Sequence, residues 1–402
     1  MSKLRTTLLL ALAMFLEALG YGIVAPTLPF IAREMGATQF QTGLLFSLYA
    51  LVGVVGVIPL GLLADRFGRR VLIFVGLGAL IVGSIGFAHA PTLALLLVAR
   101  VFQGLGGNAI WVGSLSMQGD LSSREGMGLS ISWLTAAWSV GFMIGPVLGG
   151  IGESLRTPFY LYAVGSALAL ILCILMLPRS FRSGRSFGVE KFRRVLRLRN
   201  LWVSGTVVFL MAAFYGAFEA FIPTFLGDRG SSRFSIAILF SVMAMPTIVL
   251  PPLAALIADR IGDRNLLRWS LPAWALLTGA SMFLLEEFPP AITFALLGAA
   301  EVFIFVPSVT ALHRGVPTED RGSASSANNF MFSCGFMLGP FLAGTVIVHV
   351  GHHGIFLALG AASLAGAWFV QRVFRDLEPM VAPLPAGSVA AAPPPRHLEP
   401  PA

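Results

Sequence analysis

The chain has 402 residues, of which 56% are apolar and only 11% charged. Soluble globular proteins carry roughly 25% charged residues, so these side chains cannot clothe a water-facing surface, and hydrocarbon must be the solvent for most of it. The net charge of +8 invites a nucleic-acid partner, but the cations are sorted by side of the membrane, which is a topology signal.

A bilayer core of about 30 Å takes about 20 apolar residues per helix. Runs of that length lie at about 6–30, 40–63, 71–90, 92–118, 127–150 and 157–177, and again at about 201–225, 234–257, 266–285, 291–313, 324–348 and 354–375. The short alternating segments of a membrane β-barrel are not visible, so the chain reads as all-α. Lys3 and Arg5 precede the first run as they would in a signal peptide. That run is too long for a signal core and carries Glu17 at its centre, which makes it a retained helix.

Lys3, Arg5, Arg66, Arg69, Arg70, Arg124, the basic stretch from Arg179 to Arg199, and Arg260, Arg264, Arg268, Arg314, Arg321, Arg372 and Arg375 all fall on one side of these spans. The other side holds Arg33, Arg156, Arg229 and Arg233, mixed with Glu34, Glu153, Asp228, Glu286 and Glu287. The positive-inside rule then places both termini in the cytoplasm of a protein of the inner (plasma) membrane. Cys173 and Cys334 lie in separate spans and suggest neither a disulfide nor a metal framework. His349, His352 and His353 form an outer-loop cluster with no acid or cysteine close in sequence, so no metal is expected there.

Four segments follow: a six-helix bundle over 1–177, a basic cytoplasmic linker over 178–200, a second bundle over 201–375, and a Pro/Ala-rich tail over 376–402, expected to be disordered. The linker core, Val189 to Arg199, spaces apolar residues helically among cations, as a helix lying on an anionic leaflet would; a solvated strap is the alternative. The bundles repeat each other. Ala64-Asp65-Arg66-Phe67-Gly68 recurs as Ala258-Asp259-Arg260-Ile261-Gly262, and GFMIGPVLGG from Gly141 recurs as GFMLGPFLAG from Gly335, both 194 residues on. Two matches at one offset define a parallel duplication.

On these residues the chain resembles the major facilitator superfamily. Gly61 to Arg70 is similar to the family's loop motif between spans two and three, and Arg100-Val-Phe-Gln-Gly-Leu-Gly-Gly107 to its fourth-span motif. Gly141-x-x-x-Gly-Pro-x-x-Gly-Gly150 is similar to the fifth-span motif of its drug:proton antiporters. The resemblance implies twelve transmembrane helices in two pseudo-symmetric six-helix bundles. It also implies a gating contact of Asp65 with the start of span eleven near Ser323 and Ser325, and a reciprocal one of Asp259 with span five near Ser122. Gly61, Arg66, Gly68, Arg69 and Arg260 share that gating role, though the arginines alone would also serve as topology anchors. Independently of family, glycines four apart open a groove for a neighbouring helix and a proline bends it. Gly141, Gly145, Pro146 and Gly149, with Gly335, Gly339 and Pro340, therefore read as a pliable packing seam, not as substrate contacts.

Four charges lie well inside spans: Glu17, Arg100, Glu219 and Glu301. Each costs roughly 2.5–3.5 kcal/mol on insertion scales, so each should face a cavity or a partner. A carboxyl in such a setting is suited to exchanging a proton or holding a substrate cation; the plainer reading is a neutral packing residue. Arg100 shares a helix face with Gln103, Asn108 and Trp111, and either couples proton exchange to helix movement or forms a static pair with an acid such as Glu17. Tyr21, Trp133, Trp138, Phe214, Tyr215, Phe218, Asn328, Asn329 and Phe332 complete the expected cavity on spans that enclose it in the family.

No phosphate-binding loop, zinc motif or nucleophile elbow is present, which leaves an ion gradient as the energy source and no enzyme or cofactor. The expectation is a proton-coupled exporter of small amphipathic compounds, acting as a monomer by alternating access, with a small-molecule substrate, protons and the lipid bilayer as its partners and no nucleic acid. A proton symporter importing a sugar or other metabolite is the alternative.

Overall fold

The computed structural model describes residues 3–121, 127–151, 154–178, 194–316 and 320–375, except the side chains of 57–58, 61–62, 64–65, 120, 127–129 and 375. The side chains of Gly61 and Asp65, the residue Ser122, most of the linker and the tail thus lie outside the described residues.

Every regular element described is a helix: α1 (Lys3–Glu34), α2 (Gln39–Phe67), α3 (Arg69–His89), α4 (Leu93–Leu121), α5 (Met127–Gly150), α6 (Thr157–Met176), α7 (Arg199–Asp228), α8 (Arg233–Val249), α9 (Pro251–Ile261), α10 (Asp263–Glu287), α11 (Pro290–Arg314) and α12 (Arg321–Arg375). Nine of them are long and apolar enough to cross a membrane. Two local breaks bring the spans to eleven. At Gly351, φ is 68°, a left-handed conformation that glycine adopts without penalty, and the chain reverses there, so α12 is two spans. In contrast, α8 and α9 form one span bent by 46° at Leu250. Pro246, Pro251 and Pro252 explain the bend, because each lacks the N–H that the helix ladder needs. The run 234–257 is therefore a broken helix where a straight one was expected. The remaining span is α10, which is long enough but carries Arg264 and Arg268 in its first turns and Glu286 and Glu287 at its end.

The duplication is visible as equivalent contacts. Gly141, Gly145 and Gly149 press α5 onto α1 at Phe15, Leu19, Gly22 and Ile23. Gly335 and Gly339 press α12 onto α7 at Phe209 and Ala213, which stand 194 residues beyond Phe15 and Leu19. A Cβ on Gly145 would sit 2.6 Å from Leu19 O and 2.7 Å from Gly22 Cα, so only glycine allows this approach. Pro146 and Pro340 in turn lie against Gly22 and Gly216.

The same symmetry joins the two bundles to each other. The Cβ position of Gly150 in α5 lies 3.1 Å from Phe234 Cα in α8, and that of Gly344 in α12 lies 3.2 Å from Phe40 Cα in α2. Phe40 also meets Phe341 edge-on at 5.5 Å, Ser241 donates to Met143 O at 2.7 Å, and Arg33 pairs with Asp228. All these contacts lie on the face opposite the two termini. On the terminal face, the described arginine contacts stay within one bundle: Arg69 with Ser116 O, Arg70 with Ile174 O, and Arg314 with Asp259 and Asp263. Ser325, Ser326 and Asn329 on the terminal-side third of α12 are exposed, which suits a water-filled opening better than lipid.

Candidate functional site

Near the middle of α1, Glu17 is 5% exposed and both its oxygens are satisfied. Tyr49 of α2 donates to Oε1 at 2.7 Å, and the indole of Trp138 in α5 donates to Oε2 at 2.6 Å. Trp138 stacks on Phe142 with centroids 5.3 Å apart and meets Trp111 edge-on at 6.0 Å, so the carboxylate stands at one end of an aromatic wall. Gly107 makes room for it: a Cβ there would lie 2.8 Å from Glu17 Oε1.

One turn further along α1, the Tyr21 hydroxyl crosses between bundles and donates to Glu219 Oε2 of α7 at 2.5 Å. No described residue donates to the other oxygen, Oε1, although it is buried. The Tyr21 ring stacks on Phe142 at 5.8 Å and meets Phe336 edge-on at 6.1 Å. Phe336 stands 194 residues beyond Phe142, so the two repeats supply equivalent walls for one tyrosine.

Arg100 is fully buried in α4 beside this layer. Its Nε donates to Leu45 O at 3.0 Å and Nη1 to Gln103 Oε1 at 2.5 Å, while Gln103 donates onward to Gly20 O at 3.0 Å. The guanidinium lies 4.9 Å from the Tyr49 ring centroid and 5.8 Å from that of Tyr21. These are the two tyrosines that donate to Glu17 and Glu219, so one cation sits over both. Nη2 has no hydrogen-bond partner among the described residues. The pair with Glu17 offered as an alternative is not formed: backbone and Gln103 hold Arg100 instead.

On α11, Glu301 lies beside Tyr215 and keeps a buried Oε2 that has no hydrogen-bond partner among the described residues. Tyr215 stands 194 residues beyond Tyr21. Equivalent tyrosines thus each stand beside an acid, Tyr21 by Glu219 and Tyr215 by Glu301.

Several expected cavity residues lie elsewhere. Phe214 and Phe218 pack inside the second bundle against Trp274, Phe294 and Phe356, because their face of α7 turns towards α10, α11 and α12. Trp133 is 63% exposed, away from the Glu17 wall that Trp138 joins. Asn108 donates back to Gly104 O within its own helix at 2.8 Å and abuts Gly53. Phe332 stacks on Phe336 at 6.3 Å and so borders the central layer; Asn328 is half-buried with an unpartnered Oδ1, and Asn329 is exposed.

Asp259 accepts from Arg314 at 2.6 Å, which also holds Asp263 at 2.9 Å; Ser122, its expected partner, lies outside the described residues. Arg66 and Arg260 are exposed, and Gly68 and Gly262 both adopt positive φ, 90° and 88°, at equivalent turns. Tyr49, Phe142 and Phe336 were not anticipated, although the phenylalanines occupy the second position of the repeated GFM segment. On the face opposite the termini, Arg33, Arg156 and Arg233 converge with Glu34 on a cavity of about 630 Å³. The fold also brings Glu286 to 3.0 Å from His353.

The Major Facilitator Superfamily model matches residues 10–286 and 227–397. The chain belongs to this superfamily. It is 27% identical to the quinolone resistance protein NorA of Staphylococcus aureus over 374 residues, 89% of this chain and 93% of that protein. Multidrug resistance protein 1 of Bacillus subtilis is also 27% identical, over 92% of this chain and 97% of its own. Among solved structures, the nucleoside transporter NupG superposes with a TM-score of 0.76 at 16% identity, covering 92% of this chain and 99% of that one. A bacterial homolog of the lysosomal transporter Spinster, in an inward-facing conformation, gives 0.76 at 17% identity over 94% and 100%. These likenesses establish the major facilitator fold and an integral membrane transporter, not an enzyme.

Proposed function

We propose that this transporter exports small amphipathic, preferentially cationic compounds from the cytoplasm in exchange for protons. The observation that carries the reading is two buried carboxylates, Glu17 and Glu219, with a third, half-buried Glu301, among aromatic side chains at mid-height of the two bundles. Buried acids in membrane spans are costly and persist where ions or substrates are handled. The names of the relatives supply the direction: both are resistance proteins, one to quinolones and one to multiple drugs.

The acids divide the work. Glu17, with both oxygens bonded and an aromatic wall beside it, is built to hold a substrate cation, which the faces of Trp138 and Phe142 would also attract. Glu219 and Glu301 each keep one oxygen without a donor, and such an oxygen is the place where a proton adds. The glycine-proline seams let α1 with α5, and α7 with α12, slide as the bundles rock. With the termini in the cytoplasm, the conformation described is closed to the outside and ready to load from within.

The test is transport in proteoliposomes with an imposed pH gradient. Glu219→Gln is expected to abolish gradient-driven movement of a cationic dye while leaving dye binding measurable, and Glu17→Gln to weaken binding of cations more than of neutral compounds. Wild-type gradient-driven rates in both variants would remove these acids from the mechanism.

A further inference from the structure

Transport by exchange requires that the empty carrier stay put. If it reorients with neither proton nor substrate bound, it returns with a proton alone, and the gradient drains without work. Some contact must therefore hold the unloaded protein closed and give way when either ligand arrives.

We propose that the Tyr21 hydroxyl is this latch: bonded to ionised Glu219, it ties the two bundles together, and a proton or a substrate cation at Glu219 releases it. The inference rests on reading Glu219 as a proton site. Tyr21 joins α1 of one bundle to α7 of the other at 2.5 Å, a length typical of a charge-assisted O–H···O⁻ bond. Its ring is the centre of a plug drawn from both bundles, with Tyr49, Ala50 and Phe142 on one side and Ala212, Phe332 and Phe336 on the other. That layer lies beside Glu219 where the two bundles meet, so the same side chain senses the charge and helps to fill the path between them.

The chemistry follows from the orphaned oxygen. A proton adds to Glu219 Oε1, the charge goes from −1 to zero, and Tyr21 keeps its own proton but now donates to a neutral carboxyl. Charge-assisted bonds are about twice as strong as neutral ones, so the tie weakens at the moment of loading. A substrate ammonium competing for Oε2 displaces the hydroxyl and has the same effect. The groups that interact with Glu219 are Tyr21 from α1, Arg100 from α4, Tyr215 one turn earlier on α7, and Glu301 from α11. Arg100, buried beside Tyr21 with Nη2 unpartnered, favours the charged carboxylate and so the latched state. Tyr215 is the symmetric mate of Tyr21 but lies beside Glu301 within its own bundle, so it does not tie the bundles together.

Tyr21→Phe removes the hydroxyl and leaves the ring in its plug. Proteoliposomes holding a pH-sensitive dye, with the membrane potential clamped, report proton leak in the absence of substrate. Tyr21→Phe is expected to leak roughly ten- to a hundred-fold faster than wild type, the range set by losing one hydrogen bond to a charged group. The double variant Tyr21→Phe/Glu219→Gln should return the leak to the wild-type level or below, because no proton is carried. Spin labels at Ala37 and Ser231, across the closed face, should show a longer-distance population in Tyr21→Phe at alkaline pH that wild type lacks. Wild-type leak and wild-type distances in Tyr21→Phe, in a protein whose dye transport is gradient-driven, overturn the latch alone. A wild-type protein without gradient-driven transport overturns the proton reading and the latch with it.

Discussion

Replacing Gly145 with alanine adds one methyl group at a tight point of the α1–α5 seam. The new Cβ would stand 2.6 Å from Leu19 O and 2.7 Å from Gly22 Cα. Ordinary carbon contacts lie at about 3.5–4.0 Å, so the helices must part by roughly 1 Å. Both obstructing atoms are backbone and cannot swing aside. The Trp138–Glu17 bond spans the same two helices at 2.6 Å; stretched to roughly 3.6 Å it ceases to be a hydrogen bond. Overpacking costs about 1–3 kcal/mol, and an unmet hydrogen bond to a charged group about 1.5–3 kcal/mol. A loss of roughly 2–5 kcal/mol is therefore expected, read as a lower thermal unfolding midpoint in detergent and as slower dye export. Gly78→Ala is the control, since a Cβ there meets nothing within 4 Å. Equal midpoints and equal export in the two variants would refute the seam argument.

Trp138→Phe keeps the stack on Phe142 but removes the donor to Glu17 Oε2, so affinity for a cationic dye should change by about ten-fold while that for a neutral one holds; equilibrium dye binding checks it. Arg314→Ala leaves Asp259 and Asp263 facing each other without their shared cation, and thermal stability should fall by about 1–3 kcal/mol, less at high salt. At the face opposite the termini, burial, then Arg229 and His353, hold His352 below its ordinary pKa of 6.5, with Asp228 opposing. A depressed histidine stabilises the fold in its neutral form, so that contribution is present above about pH 6.5 and is lost as pH falls through the lowered value. The pH-dependent loss of melting temperature on acidification should shrink in His352→Phe, and identical pH profiles would contradict it.

How much of this was legible depended on which physical rule each residue obeys. Span number, the 194-residue repeat and the glycine seam follow from hydropathy and from identity at a fixed offset, and the structure repeats that offset in Phe15 and Phe209, Leu19 and Ala213, Gly150 and Gly344. Buried charge is equally local, so Glu17, Arg100, Glu219 and Glu301 stood out from their apolar surroundings. Pairing is not local. Nothing in the spacing of α1 says that Tyr49, and not Arg100, meets Glu17, or that Tyr21 crosses to the other bundle. Phe214 and Phe218 illustrate the same limit: an apolar helix face reads alike whether it turns to a cavity or to its own bundle's core, and here Trp274 and Phe356 claim them. Asp259 bonds Arg314, a partner 55 residues along the chain that no local pattern names. The bend at Leu250 was within reach, since Pro246, Pro251 and Pro252 are plain in the sequence.

The central claim is that outward drug movement and inward proton movement are one cycle. Inside-out vesicles carrying only this protein, loaded at acid pH and diluted into neutral buffer with a cationic dye, measure it directly. The dye should accumulate in the lumen while lumenal protons leave, and both fluxes should stop when an ionophore collapses the gradient. Accumulation driven by acid outside the vesicle, or indifference to the gradient, would contradict the account.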